Sequence, residues 1–234
     1  MKPRSKKSSK SNSNPLTMSL DPFRPLTEGQ AQAKIAYESG RHVVMCGYAG
    51  TGKTYVGLRM ALEDIVNNQV ERLHIFRSAV PSRDIGFLPG TESEKMSVYE
   101  KAYNSLFREI FQRSDAWEIA KQKGVVSLES TSFLRGTTYK DCTILIDEAQ
   151  NLSSQELTTI LTRVGENCRV IVCGDALQCD LPMHASGWNL LMKVAPRMKD
   201  FITVIEYGSD DIVRGEFVKQ FILSWQAVLS DTRG

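Results

Sequence analysis

The chain has 234 residues, of which 41% are hydrophobic and 24% are charged, and this is an ordinary globular composition. The length fits one sizeable domain, and the composition excludes a coiled coil and a wholly disordered chain. No apolar run approaches the roughly 18–20 residues that cross a bilayer, so no membrane partner is expected. The net charge is +2, but five basic residues and no acidic residue lie within residues 1–20. The slightly acidic remainder is not a bulk nucleic-acid surface, so any such contact must be local.

The N-terminal residues 1–20 are predicted to be a disordered basic tail, because they are rich in Ser, Lys and Asn. They contain no hydrophobic core of a secretory signal. Five cysteines without a C-x-x-C pair indicate reduced thiols in a cytoplasmic protein, in a bacterium or in the host of a phage. A zinc site would need Cys168, Cys173, Cys179 and His184, whose spacing fits no standard pattern.

Helical and short apolar segments alternate from residue 25 onward, and residues 21–234 are expected to form one domain. The pattern predicts helices over residues 27–39, 53–67, 97–113, 153–164 and 211–229. It predicts strands over residues 42–46, 73–76, 125–128, 143–146, 170–173 and 202–205. Nearly continuous apolar strands separated by helices favour an α/β fold, with a mainly parallel sheet covered by helices on both faces.

A phosphate-binding motif follows the first predicted strand and precedes a helix. The pattern G-x-x-x-x-G-K-[ST] is formed by Gly47, Tyr48, Ala49, Gly50, Thr51, Gly52, Lys53 and Thr54. Glycines allow backbone N–H groups to turn toward phosphates at a helix N-terminus. Lys53 is expected to reach the β- and γ-phosphates, and Thr54 to ligate Mg²⁺. An incidental glycine-rich turn is the alternative, which the strand-to-helix context disfavours.

Two carboxylates end the strand predicted over residues 143–146. Asp147 is the Walker B residue expected to hold Mg²⁺, and Glu148 is the expected general base for the attacking water. Small-molecule kinases and Ras-like GTPases usually lack this second acid, and no N-K-x-D motif for guanine is present.

The strand predicted over residues 170–173 also ends in polar residues. If this strand lies between the two motif strands, its tip faces the γ-phosphate, and Gln178 would sense that phosphate. Asp175 would bind water or order the turn. The alternative is an ordinary turn.

Together these blocks resemble the PhoH family of P-loop ATPases and, more distantly, the first motor domain of superfamily 1 helicases. The resemblance covers about residues 25–226. Its blocks are residues 47–55, 77–80, 86–90, 132–136, 147–151, 161–165, 174–182 and 211–214. It implies a RecA-like domain that uses ATP and Mg²⁺, with Gln30 beside Pro25 and Leu26 contacting adenine. The chain departs from the family pattern at Gly215, where histidine is frequent.

A complete superfamily 1 helicase has a second RecA-like domain that supplies an arginine finger, and this sequence ends too early for one. We therefore expect a homo-oligomeric ring, a hexamer, in which an arginine completes the neighbouring site. Arg214 is the leading catalytic candidate for that role, and Arg163 and Arg135 are the others.

Candidate nucleic-acid residues lie after strands or in loops, where related helicases touch a strand. They are Arg77, Arg83, Phe87, Phe133 and Arg135. Arginines with aromatic rings suit a single strand, because phosphate charge and base stacking tolerate any sequence. The sequence therefore predicts an oligomeric ATPase motor acting on single-stranded RNA or DNA. An ATP-dependent regulatory or assembly module with a protein partner remains the alternative.

Overall fold

The computed structural model describes residues 15–78, 92–131, 138–175 and 186–233. Within these ranges the helices are α1 (Glu28–Glu38), α2 (Lys53–Val66), α3 (Glu92–Phe111), α4 (Ala116–Gln122), α5 (Ser154–Leu161), α6 (Gly187–Val194) and α7 (Glu216–Arg233). The strands are β1 (His42–Gly47), β2 (Arg72–Phe76), β3 (Val126–Glu129), β4 (Cys142–Ile146), β5 (Arg169–Gly174) and β6 (Ile202–Tyr207). None of the helices in these ranges combines the length and apolarity needed to traverse a bilayer.

The six strands form one sheet in the order β3-β2-β4-β5-β1-β6, and every neighbouring pair is parallel. This confirms the predicted α/β fold with a parallel sheet, arranged as a RecA-like domain. Strand β5 lies between β1, which leads into the phosphate-binding motif, and β4, which ends at Asp147. The carboxyl ends of all these strands therefore meet at one edge of the sheet.

Two hydrophobic layers cover the two faces of the sheet. In β1, Met45 packs in the layer formed with α1 to α4, whereas its neighbour Val44 packs in the layer formed with α5 and α6. This alternation follows from the two-residue period of a strand. Because both faces are covered at the centre of the sheet, β1, β4 and β5 are largely apolar and buried, whereas β3 and β6 at its two edges also carry polar residues.

Two residues that the sequence assigns to the N-terminal tail contact the domain. Leu16 and Met18 are buried in the layer with α1 to α4. Lys123 Nζ donates to the Leu16 carbonyl at 3.3 Å and to Thr17 Oγ1 at 2.8 Å. Two apolar side chains thus attach this segment to the domain, whereas the sequence assigns it to the tail that ends at residue 20. The five basic residues precede residue 15 and lie outside the described residues.

Several helix boundaries agree with the sequence and others do not. Thr27 is the N-cap of α1 as predicted, with Oγ1 accepting from the Gln30 N–H at 3.3 Å. Helix α7 begins at Glu216 rather than at residue 211, because residues 209–211 form a 3-10 turn in which Asp211 accepts from the Gly208 N–H. Helices α4 and α6 were not predicted.

Candidate nucleotide site

The phosphate-binding loop depends on glycine at positions where other residues would be strained or would clash. Gly47, Gly50 and Gly52 have φ angles of 120°, 75° and 80°. A Cβ on Gly47 would lie 2.1 Å from the carbonyl oxygen of Tyr207. Gly52 caps α2 without a side-chain hydrogen bond, so the first N–H groups of this 14-residue helix have no side-chain cap. Such a helix N-terminus is suited to bind an anion.

Lys53 lies over this loop. Its Nζ donates to the carbonyl oxygens of Gly47 at 2.8 Å and Tyr48 at 2.7 Å. Thr51 is buried within the loop, where its hydroxyl donates to the Tyr48 carbonyl at 2.9 Å. The ammonium and the loop amides therefore supply positive charge at the same place.

Thr54 and Asp147 meet at the carboxyl edge of the sheet, although 93 residues separate them. The Thr54 hydroxyl donates to Asp147 Oδ1 at 2.7 Å, and Asp147 is buried. A hydroxyl and a carboxylate are hard oxygen donors, and Mg²⁺ is typically held by one or two carboxylates together with substrate phosphates. The described residues contain no group of three or more His, Cys, Asp or Glu that could hold a metal.

Glu148 is held in the left-handed region at φ 51°, next to Asp147. Burial and, to a smaller extent, the charge of Asp147 raise the pKa of the Glu148 carboxyl. Gln150 Nε2 donates to Glu148 Oε2 at 2.6 Å, and Gln150 Oε1 accepts from the Asp175 N–H at 3.0 Å. The buried Gln150 thus connects Glu148, the predicted general base that follows β4, to the end of β5.

The second oxygen of Asp147 is bound from the other side of the site. Asp147 Oδ2 accepts from the Tyr103 hydroxyl at 2.8 Å and from Arg77 at 3.4 Å. Arg77 also lies 4.0 Å from a Glu148 carboxylate oxygen and 4.4 Å from the centre of the Tyr99 ring. Arg77, which the sequence assigns to nucleic acid, is therefore placed at the nucleotide site.

Two adjoining cavities lie at the carboxyl edge of the sheet. The first, of about 330 Å³, is lined by residues of the loop and by Arg77, Asp147, Glu148 and Asp175. The second, of about 790 Å³, lies beside residues 21–24, Leu26 and Gln30, and both share Gly52 and Arg214 in their walls. One cavity therefore presents the phosphate-binding residues and the next presents the predicted adenine residue.

Gln30 lines the second cavity and contacts the phosphate-binding loop. It is buried, its Oε1 accepts from the Leu26 N–H at 2.9 Å, and its Nε2 donates to the Thr51 carbonyl at 3.1 Å. Asp211 fixes the start of α1, because its carboxylate accepts from the Gly29 N–H at 2.9 Å. Contacts at both ends of its amide thus hold Gln30 beside the phosphate-binding loop, and its contact with adenine stays a prediction.

Comparison with protein families gives the same assignment as these motifs. The family described as PhoH-like protein matches residues 22–226. The chain belongs to the PhoH family. The PhoH-like protein of Mycobacterium leprae is 36% identical over 203 residues, which are 85% of this chain and 57% of that protein. Protein PhoH of Escherichia coli is 31% identical over 82% of this chain and 55% of its own length.

This PhoH-family chain therefore spans a little over half the length of these relatives. Among solved structures, the large terminase from a thermophilic bacteriophage aligns over 85% of this chain and 50% of that chain, with a TM-score of 0.51 and 10% identity. At that identity the likeness shows the fold alone.

Arg214 lies against the phosphate-binding loop of its own chain. A Cβ on Gly50 would be 2.9 Å from Arg214 Cγ, and the Val213 N–H donates to the Gly50 carbonyl at 3.0 Å. This position in cis differs from the role in a neighbouring subunit that the sequence suggests. Arg163 follows α5, where its carbonyl accepts from the Tyr139 N–H, and it is not among the residues that line either cavity.

The remaining predicted site residues lie outside the described residues. They are Gln178, Arg83, Phe87, Phe133 and Arg135. Conversely, sequence reasoning did not assign a role to Tyr103 or Gln150. The only sequence feature that could have pointed to Gln150 is its place in the family block over residues 147–151. For Tyr103 the sequence offers only the apolar helical pattern of α3.

Proposed function

We propose that this chain binds ATP with Mg²⁺ and hydrolyses it. The observation that supports this most strongly is the convergence of Lys53, Thr54, Asp147 and Glu148 at one cavity. Lys53 and the loop N–H groups would bind the phosphate oxygens, while Thr54 and Asp147 would hold the metal. Bound Mg²⁺ would neutralise charge on the β- and γ-phosphates. Glu148 would accept a proton from the attacking water as that water bonds to the γ-phosphorus and ADP leaves.

A preference for adenine would come from the second cavity. The Gln30 amide lies in its wall, and the segment over residues 21–26 forms the adjoining side. An amide suits adenine because it both donates to and accepts from the base. Comparing the affinities for ATP and GTP tests this part of the proposal.

Two variants test the hydrolysis mechanism. Lys53→Ala should lose nucleotide binding and hydrolysis, because the phosphate charge loses its cation. Glu148→Gln should retain ATP binding while turnover falls about 10²- to 10⁴-fold, the usual contribution of a general base. Nucleotide affinity and phosphate release are the measurements. Lys140→Ala, at an exposed position, is the matched control.

Normal hydrolysis by the Lys53→Ala protein would refute the catalytic assignment. Equal loss in the Lys140→Ala protein would show that the assay reports damage to the fold instead.

Action on single-stranded RNA or DNA, as a translocase or helicase-like motor, is the second part of the proposal. Arg77 supports it, because its guanidinium lies 3.4 Å from Asp147 and 4.0 Å from Glu148, and it precedes Arg83 and Phe87 in the sequence. Adding single-stranded RNA and DNA to the hydrolysis assay separates the two functions. Stimulation by either strand favours the motor, whereas no binding and no stimulation favours the regulatory module with a protein partner.

Self-association into a ring, with a hexamer as the specific expectation, would place neighbouring chains beside the nucleotide. Helix α7 supports it, since Phe217, Phe221, Trp225 and Val228 are between 55% and 82% exposed. Ile222 of the same helix lies near the loop, 3.4 Å from where a Cβ on Gly50 would be. A second copy packed on these apolar side chains would therefore adjoin the phosphate-binding loop. Arg214, Arg163 and Arg135 remain the proposed arginines that would act on a neighbouring site.

A further inference from the structure

Tyr103 joins α3 to the proposed metal site. The side chain is 1% exposed, and its hydroxyl donates to Asp147 Oδ2 at 2.8 Å. The other oxygen, Asp147 Oδ1, accepts from the Thr54 hydroxyl at 2.7 Å. The two oxygens of one buried carboxylate are thus bound from two different helices, and only the Thr54 side belongs to a recognised phosphate-binding motif.

Packing fixes the position of the Tyr103 ring. The ring stacks on Trp117 of α4 with centroids 6.0 Å apart, and Phe107 meets the same Trp117 edge-on at 4.9 Å. A tyrosine locked this tightly holds its hydroxyl in one place, so the hydrogen bond costs little further side-chain entropy. The ring cluster therefore determines where the hydroxyl meets Asp147.

The Tyr103 hydroxyl is the donor in this hydrogen bond, because an ionised carboxylate can only accept. Arg77 is the other group on Asp147 Oδ2, at the longer distance of 3.4 Å and with a partly exposed side chain.

We propose that Tyr103 is a positioning residue for Mg²⁺: by holding Asp147 Oδ2 it fixes Oδ1 beside Thr54, so that α3 sets the metal affinity of the nucleotide site. The proposal rests on the proposed nucleotide binding. It assigns Tyr103 no contact with substrate, and the hydroxyl acts only through Asp147. Loss of the hydroxyl would leave the carboxylate free to rotate away from Thr54 and would weaken binding of the metal without removing a phosphate contact.

The test is the Mg²⁺ dependence of binding of a fluorescent ADP analogue to the Tyr103→Phe protein. In EDTA, its affinity should stay within about twofold of that of the unmodified protein, because Lys53 and the loop are unchanged. The Mg²⁺ concentration for half-maximal enhancement of binding should rise about tenfold, which corresponds to about 1.4 kcal/mol. Tyr139→Phe is the matched control, since it removes a comparable bond from a buried tyrosine to Glu129, at 2.8 Å, among residues that line neither cavity.

The outcomes separate this proposal from the proposed function. Failure of the unmodified protein to bind the analogue would refute nucleotide binding itself. Normal binding with the same Mg²⁺ requirement in the unmodified and Tyr103→Phe proteins would overturn the role of Tyr103. An equal shift in the Tyr139→Phe protein would also overturn it, because any lost tyrosine hydroxyl would then suffice.

A second measurement uses the unmodified protein, in case the Tyr103→Phe protein does not fold. If Asp147 connects the metal to α3, adding Mg²⁺ to the ADP complex should slow amide hydrogen exchange within residues 98–111. Unchanged exchange in that segment, with slowing confined to the phosphate-binding loop, would overturn the proposal.

Discussion

At the scale of single residues, the Glu148 carboxyl determines the expected pH dependence of hydrolysis. Burial and then the Asp147 charge raise its pKa, so protonation begins at a higher pH than for an ordinary glutamate. A protonated carboxyl cannot accept a proton from water, so kcat should fall as the pH decreases through this raised pKa. The Gln150 amide opposes the rise, because it donates to the charged form at 2.6 Å.

Replacing Gln150 should therefore move the acidic limb of the rate profile. Gln150→Leu removes the donor, raises the pKa of Glu148 further and shifts the fall in kcat to higher pH. The measurement is kcat against pH at saturating ATP and Mg²⁺, with Gln155→Leu at an exposed position of α5 as the control. A limb at the same pH in the Gln150→Leu and unmodified proteins would show that Glu148 is not the titrating base.

Contacts within one short segment of the site could be predicted from the sequence, whereas contacts that depend on how distant helices pack could not. The loop over residues 47–54 is local, so its spacing alone indicates its shape. The meeting of Thr54 and Asp147 was also predictable, because parallel strands end at one edge of a sheet. Tyr103 reaches Asp147 only through the tertiary placement of α3, which no sequence spacing encodes. The sequence correctly predicts that Arg77 follows a strand. The direction of its side chain, however, depends on contacts with Tyr99, Asp147 and Glu148.

At the scale of elements, strands and long helices were predicted well and short helices were not. Helices α4 and α6 have seven and eight residues, fewer than the window of about 11–18 residues in which a helical period is visible. Their type is decided by packing, as when Trp117 of α4 and Trp188 of α6 enter the two core layers. Helix α7 was predicted as a helix, and the structure leaves its aromatic residues exposed.

Two exposed aromatic rings of helix α7 allow a test of self-association. Phe221 and Trp225 stack with centroids 5.7 Å apart and are 55% and 59% exposed. If a second copy covers these rings, Trp225→Asp should convert the assembly into smaller species, because a buried charge without a partner strongly opposes association. Particle mass by light scattering, with and without nucleotide, is the measurement. Leu190→Asp on α6, where the leucine is 48% exposed, is the matched control.

The mass distribution decides between the possibilities. A ring that survives Trp225→Asp would place the interface elsewhere on the chain. An unmodified protein that is monomeric in every nucleotide state would remove the ring from the proposal while leaving the nucleotide site intact.

At the scale of the whole molecule, a titrating group between two strands affects the stability of the fold when its pKa differs between the folded and the unfolded state. His42 begins β1, and its Nδ1 accepts from the Val170 N–H of β5 at 3.1 Å. Burial and then the nearby positive charge of Arg169 lower the pKa of His42 from 6.5 to about 4. The folded protein therefore holds this imidazole neutral at pH values where the unfolded chain would protonate it.

The sign of the resulting pH dependence follows from proton binding. Between pH 6.5 and about 4 the unfolded chain binds more protons at His42 than the folded protein does, so the free energy of unfolding decreases as the pH falls. The contribution is fully present above pH 6.5 and is lost toward pH 4, with an upper value of about 3 kcal/mol. His42→Asn keeps an acceptor for the Val170 N–H but cannot titrate. Urea unfolding of both proteins at about pH 7 and about pH 4.5 should show a smaller loss of stability in the His42→Asn protein, whereas equal losses would mean that acid acts on the sheet through other groups.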